Sequence, residues 1–370
     1  MSGVYIHIPF CHSKCAYCDF FSRPGVGRAG EVCHAIAEEF KRRVHELKAD
    51  PEIRTLYVGG GTPSILDVND LAIAIALIPL GNVEEFTIEV NPEDVSLEKA
   101  QAWRRLGVNR VSIGVQSFYD EELRAVGRRH TAEQAKEAFY TLRRAGFDNI
   151  SLDLIYGLPL QTEETWLGSL NALLDLRPEH FSAYALTYEH GTRLSARVAA
   201  GKLTPTDDDT VANMYEMLTM VAKAIGYEHY EISNFALPGY RSRHNSSYWD
   251  STPYLGLGPA AHSFDGKTRR YNPSEINAYI ASLTDKDDKK IPAIVDEETE
   301  RDSLADLIFT RLRTSEGLSL DILPPDARES LLAAAHALPS NHIEITPTHI
   351  RIPEKHWLIS NSIIMPLLPD

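Results

Sequence analysis

The chain has 370 residues, 43% hydrophobic and 24% charged, with a formal net charge of −15 at pH 7. That length and balance fit a soluble α/β protein of two domains, or of one large domain with an appendage. The negative charge argues against nucleic acid as a partner, and the longest apolar run, Leu71–Leu80, is far short of the ~20 residues of a membrane span.

The first ten residues run straight into a cysteine motif, with no signal peptide. Cys11, Cys15 and Cys18 form C-x3-C-x2-C, one thiolate short of the four that close a [4Fe–4S] cluster. A cluster held this way keeps one iron open for a ligand. Zinc, with His7 or His12 as fourth ligand, and unrelated buried thiols remain open from spacing alone. Three clustered cysteines of four predict a reducing, cytoplasmic compartment.

Short β-rich runs then alternate with amphipathic patterns. Strands are expected at Val4–Pro9, Thr55–Val58, Phe86–Val90, Arg110–Val115, Ile150–Ile155 and Phe181–Leu186. Helices are expected at Ala29–Leu47, Val68–Ile78, Leu97–Leu106, Ala132–Ala145 and Glu163–Leu176. Such alternation implies a parallel sheet, and six units imply a partial (β/α)6 barrel.

In such barrels the chemistry collects at the C-terminal strand ends. Here those ends carry Cys11, then Gly59-Gly60-Gly61-Thr62-Pro63, Glu89-Val90-Asn91-Pro92, Gln116-Ser117, Asp153 with Tyr156-Gly157-Leu158-Pro159, and Tyr184-Ala185. Glycines admit close backbone approach to a ligand. No G-x-x-x-x-G-K follows, so this is not a nucleotide phosphate loop. Glu89, Gln116 and Asp153 suit an amine or a ribose, and Arg128 suits a carboxylate.

Together, Y-I-H-I-P-F-C-x3-C-x-Y-C, G-G-G-T-P, E-V-N-P, G-V-Q-S-F and D-L-I-Y-G-L-P resemble the radical SAM enzymes. More narrowly they resemble the branch of oxygen-independent coproporphyrinogen oxidase. The resemblance implies a [4Fe–4S] cluster on Cys11, Cys15 and Cys18, with S-adenosylmethionine on the fourth iron. It implies S-adenosylmethionine contacts at Tyr5, Tyr17, Gly60, Gly61, Thr62, Glu89, Gln116, Arg128, Asp153 and Ala185. In this chemistry the reduced cluster cleaves a carbon–sulfur bond and yields an adenosyl radical.

Two departures point to the HemW-type haem chaperones within that branch. The decarboxylating oxidase has a further cysteine where Phe20 stands, and a long extension before the cluster. His244-Asn245-Ser246-Ser247-Tyr248-Trp249 resembles the chaperones' H-N-x-x-Y-W haem signature, so His244, Asn245, Tyr248 and Trp249 are the expected haem contacts. An imidazole ligates haem iron and aromatics pack on a flat macrocycle. His262, after a glycine-rich turn, is a further candidate.

Lys286–Lys290 reads as a charged linker. Beyond it lie a helix from Glu297 to about Arg313, a helix at Ala327–Ala337, a hairpin over His342–Ile352 and a final helix at Trp357–Leu367, a winged-helix-like appendage. Residues 297–370 hold six Lys/Arg against twelve Asp/Glu, too acidic for a DNA-binding wing. The expected domains are a barrel over 1–230, a haem-motif segment over 231–290 and a C-terminal domain over 291–370.

The expected function is a haem chaperone that binds a cluster, S-adenosylmethionine and haem. It delivers haem to haem-requiring, respiratory proteins, some of them in membranes, and no residue is assigned a catalytic role. A coproporphyrinogen III oxidase, acting in porphyrin biosynthesis, is the alternative. A third reading, a cluster protein without S-adenosylmethionine chemistry, sits poorly with Gly59–Gly61 and Asp153. Oligomeric state stays open, with a cluster-ordered homodimer as one arrangement.

Overall fold

The structure, a computed structural model, describes residues 2–47, 52–284, 294–296 and 300–369. Six parallel strands follow one another in sequence and in space: β1 (Ser2–Ile8), β2 (Ile53–Gly60), β3 (Glu85–Val90), β4 (Arg110–Gln116), β5 (Ile150–Tyr156) and β6 (His180–Ala185). All six expected strands are present, each within two residues of its expected bounds. Antiparallel β8 (Asn234–Ala236) and β7 (Glu228–Glu231) extend the sheet past β6. On the other edge β9 (Tyr254–Leu257) lies parallel to β1, followed by antiparallel β10 (His262–Phe264), β11 (Arg269–Tyr271) and β12 (Ile294–Asp296). The single sheet therefore reads β12-β11-β10-β9-β1-β2-β3-β4-β5-β6-β8-β7. The charged stretch Lys286–Lys290 lies outside the described residues.

The strands divide their side chains by the two-residue period of the pleat. Val4, Ile6 and Ile8, like Leu56 and Val58, join the apolar core. Alternate positions face the other way, and they are polar: Tyr57, Glu89, Ser112, Gln116, Asp153, Ser182 and Tyr184 all line one cavity. For side chains from β2 to β6 to share a cavity, the sheet must curl. Many barrels fill this space with branched apolar residues; here it is open and studded with polar side chains.

The helices start where hydroxyl caps dictate. Thr131 and Thr162 each close a capping box, with Gln134 and Thr165 as the returning side chains. The first helix is α-helical over Ala29–Arg43 and tightens into a 3-10 turn over Val44–Glu46, and the second stops at Ile75.

At the C-terminus, Leu318–Ser319, His349–Arg351 and Glu344–Ile345 form a three-stranded sheet beside the helix Pro325–Ala337. The expected helix over Trp357–Leu367 is instead three short pieces: 3-10 turns at Glu354–Ile359 and Met365–Leu367 flanking α-helical Ser360–Ile364. Pro366 has no N–H to continue an α-helical ladder.

Candidate functional site

The cysteine loop is fastened to the C-terminal rim of the barrel by backbone bonds. Gly25 N donates to Cys11 O at 2.9 Å and Arg23 N to Pro9 O at 2.8 Å, so the chain after the motif folds back on it. Ala16 N donates to Val126 O, and Leu194 N to Ala16 O, both at 2.9 Å. The loop is thus held from two sides before any metal is considered.

The glycines at and just after the end of β2 serve this fastening. Gly61 N donates to Ile8 O and Thr62 N to Phe10 O, at 2.8 and 2.7 Å. A Cβ on Gly61 would stand 2.5 Å from Phe10 O. Gly60 adopts φ +106°, and a Cβ there would meet the His7 ring at 2.6 Å. The sequence suggested ligand approach as the reason for these glycines; packing against the cysteine loop is a second and independent one.

The cavity beneath the loop measures about 830 Å³, a common size for a ligand site. All three cysteines line it, with nine of the ten expected S-adenosylmethionine contacts: Tyr17, Gly60, Gly61, Thr62, Glu89, Gln116, Arg128, Asp153 and Ala185. Tyr5 is not on its wall. That ring is packed beside Tyr57 and His244, with its hydroxyl 3.1 Å from His7 Nδ1. Tyr57 and Ser112, each four positions before an expected residue, also line the cavity, and strand alternation alone would have found them; Ser182 lines it too, in step with Tyr184 rather than with the expected Ala185. Trp357 and Leu358 close it from the C-terminal segment, for which no local sequence signal exists.

Polar geometry converges inside. Glu89 accepts from Tyr57 Oη at 2.8 Å and from Gly60 N at 3.1 Å. Burial still pushes its carboxyl up to about 7. Asp153 accepts from Ser112 Oγ at 3.0 Å, and burial raises it as well. Arg128 donates through Nη2 to Asn91 Oδ1 at 2.7 Å and to Gly114 O. Gln116 ends β4 at φ +69° beside a register shift between Gly114 and Gln116. Such a bulge re-aims a side chain at a site's edge.

The donor set fits an iron–sulfur cluster. Thr62 Oγ1 donates to Cys11 Sγ at 3.4 Å and Arg128 Nη1 to Cys15 Sγ at 3.7 Å, the kind of bond that tunes thiolate-held clusters. Burial pushes the Cys18 thiol up to about 11, and metal ligation would deprotonate it. All four cysteines are free of disulfides. Among the described residues no three His, Cys, Asp or Glu side chains converge on a single ion. His7 Nε2 is engaged by Phe21 O at 2.8 Å and His12 Nε2 by Asp94 at 2.7 Å, so neither histidine is poised as a zinc ligand.

The H-N-x-x-Y-W segment is a short helix, Arg243–Trp249, at the opposite, N-terminal end of the barrel. Glu85, at the start of β3, accepts from the backbone N–H groups of Arg243 and His244, both at 2.9 Å. Asn245 reaches the cavity wall; His244, Tyr248 and Trp249 do not. His244 is 1% exposed, with Nδ1 2.8 Å from Thr55 Oγ1 and Nε2 2.9 Å from the Tyr248 hydroxyl. Its ring stacks on Tyr57 at 5.1 Å. Burial, then the charge of Arg110, lowers it to about 3. The imidazole is therefore neutral and fully engaged in this conformation. His262 is exposed and stacks on Tyr271.

A partial parallel barrel with three cysteines over a polar central cavity defines a radical SAM protein, and the Radical SAM superfamily model matches residues 5–173. The fold is shared with the Escherichia coli coproporphyrinogen III oxidase HemN, at a TM-score of 0.81 and 23% identity, over 99% of this chain and 90% of that one. A Bacillus subtilis protein named Heme chaperone HemW is 36% identical over 86% of this chain and 85% of its own length. The Escherichia coli Heme chaperone HemW is 38% identical over 70% of this chain and 69% of its own. A mouse protein, radical S-adenosyl methionine domain-containing protein 1, mitochondrial, is 37% identical over 70% of this chain and 60% of its own. The chain belongs to the HemW family of radical SAM proteins. Radical SAM membership carries a [4Fe–4S] cluster and S-adenosylmethionine as resident groups.

Proposed function

We propose that this protein is a haem chaperone. It carries a [4Fe–4S] cluster on Cys11, Cys15 and Cys18, and binds S-adenosylmethionine over Gly60, Gly61 and Thr62 with Glu89, Gln116, Arg128 and Asp153. It takes up haem at the H-N-x-x-Y-W helix and passes it to haem-requiring respiratory proteins from the cytoplasm. One observation carries the reading: the three cysteines and Asn245 of the haem signature line the same cavity from opposite ends of the barrel. The relatives named haem chaperones support it. So does Phe20, which stands 68% exposed beside the cysteines where the oxidase resemblance calls for another thiolate.

The bound cofactor pair would supply one-electron cleavage of a carbon–sulfur bond. The chain's own residues bind it, orient it and keep water from it. Haem ligation by His244 requires Nε2 to leave the Tyr248 hydroxyl. Tyr248 is 37% exposed, and turning its side chain outward breaks its edge-on contacts with His244 and Tyr254. On this reading Tyr248 gates the imidazole. Haem titration is the test of the site: a Soret shift that weakens in His244→Ala is expected, and an unchanged titration removes His244 from it. Incubation with coproporphyrinogen III, S-adenosylmethionine and a reductant tests the function. Efficient formation of protoporphyrinogen would replace the chaperone with the oxidase.

A further inference from the structure

Arg110 opens β4 on the face that carries Ser112, Gly114 and Gln116, the three β4 residues of the cavity wall. It lies one layer deeper and is 1% exposed. Its Nε and Nη1 have no hydrogen-bond partner, and neither does Oγ1 of Thr87, its register neighbour on β3. Among the described residues it forms no ion pair. A buried guanidinium with two nitrogens unpaired is costly enough that it needs a reason to be there.

The reason lies in what surrounds it. Its charge reaches Tyr57 on β2, Glu89 on β3, Asp153 on β5, His180 on β6, Tyr230 on β7 and His244 on the helix Arg243–Trp249. Both histidines are buried and hydrogen-bonded: His180 by Ser151 and Tyr230, His244 by Thr55 and Tyr248. The anionic candidates among the six are therefore Glu89 and Asp153, which repel each other. Arg128 also reaches Asp153, but both of its terminal nitrogens are engaged by Cys15, Asn91 and Gly114, and only its Nε is unpaired.

We propose that Arg110 is a positioning residue of the S-adenosylmethionine site. Its guanidinium is the shared countercharge that favours the ionised forms of Glu89 and Asp153 without taking up the acceptor capacity left on oxygens already bonded by Tyr57, Gly60 and Ser112. A direct ion pair would occupy those oxygens; a charge deeper in the barrel, level with Thr87, favours the ionised forms without touching them. This rests on the assignment of Glu89 and Asp153 to that site.

The test titrates these carboxyl groups by infrared difference spectroscopy in cluster-reconstituted protein without S-adenosylmethionine, with Glu89→Gln and Asp153→Asn assigning the bands. Arg110→Gln should move both protonation midpoints upward, by about one pH unit for a tenfold gain in proton affinity, while Arg110→Lys keeps them near those of the wild type. A folded Arg110→Gln protein with unmoved midpoints overturns the proposal. Should Arg110→Gln fail to accumulate, the charge-compensated Arg110→Gln/Glu89→Gln protein is expressed. Recovery of folded protein supports the countercharge, and no recovery overturns it. The cofactor is absent from the titration. Wild-type protein that fails to bind S-adenosylmethionine therefore counts against the functional reading alone.

Discussion

Arg128 Nη1 stands 3.7 Å from Cys15 Sγ, while Nη2 of the same guanidinium holds Asn91 Oδ1 at 2.7 Å. One side chain thus ties the cysteine loop to the ends of β3 and β4. Arg128→Met removes the donor from Asn91 and from Gly114 O. Leaving buried acceptors unpaired costs about 1–3 kcal/mol. The same change removes the cation suited to a ligand carboxylate, so S-adenosylmethionine affinity should fall at least about tenfold. Iron content should stay near that of the wild type, because the three thiolates remain. Equilibrium dialysis of reconstituted protein reads the first effect and iron analysis the second; undiminished affinity would remove Arg128 from the ligand site.

Cys15→Ala makes the complementary prediction. The residue is half-buried in a loop, and that loop is pinned through Ala16 rather than through the sulfur. The fold should survive with little change in thermal midpoint. Wild-type protein reconstituted without oxygen should hold about four irons, and the variant should lose the cluster's visible absorbance. Normal absorbance in Cys15→Ala would sink the iron assignment.

The barrel was legible because its signals are local and periodic. The six strands carry their own apolar runs, and Thr131 and Thr162 announce their helices within four residues. The cysteines and the strand-end polar residues converge because consecutive parallel strands must present their C-terminal ends to one rim. What was not legible is long-range. Trp357 reaches the cavity from a segment more than 170 residues beyond β6, and nothing near it in sequence marks that destination. Tyr5 shares the cysteine motif's neighbourhood in sequence and the face of its register partner Tyr57, yet its packing between Tyr57 and His244 leaves it off the cavity wall. His244 reads as a ligand in isolation; only the fold shows that Thr55 and Tyr248 already hold both of its nitrogens.

That engagement sets an acid dependence. His244 titrates at about 3 in the folded protein, against about 6.5 when unfolded. Between those values the unfolded chain binds the extra proton and the native one does not, so stability falls as pH drops below about 6.5. From this residue alone the loss by pH 4.5 is about 3 kcal/mol. His180 adds in the same direction, so the comparison must be differential. Urea unfolding of the wild type and His244→Gln across this range should give a shallower pH slope in the variant. Parallel slopes would mean that His244 is protonated in the native state.

Glu39 offers a stability test far from the cofactor site. The carboxylate is fully buried, and all of its close partners are donors. Oε1 accepts from Arg43 Nη1 at 2.6 Å and Asn272 Nδ2 at 2.7 Å; Oε2 accepts from the Tyr279 hydroxyl at 2.6 Å and Gly258 N at 2.9 Å. One side chain therefore joins the first helix to the turn after β9, the residue after β11 and the helix Ile276–Thr284. Arg43 in turn reaches Gly256 O and Ser263 Oγ, both at 2.9 Å. Glu39→Gln turns one oxygen into an NH2 that must face donors, and it leaves Arg43, 2% exposed, short of its closest countercharge. Removing one partner of a buried pair typically costs about 3–5 kcal/mol. Arg43→Met alone should cost a similar amount. The double variant should cost clearly less than the sum, because each change already strands the other's partner. Additive losses in urea midpoint would show that the two residues act independently.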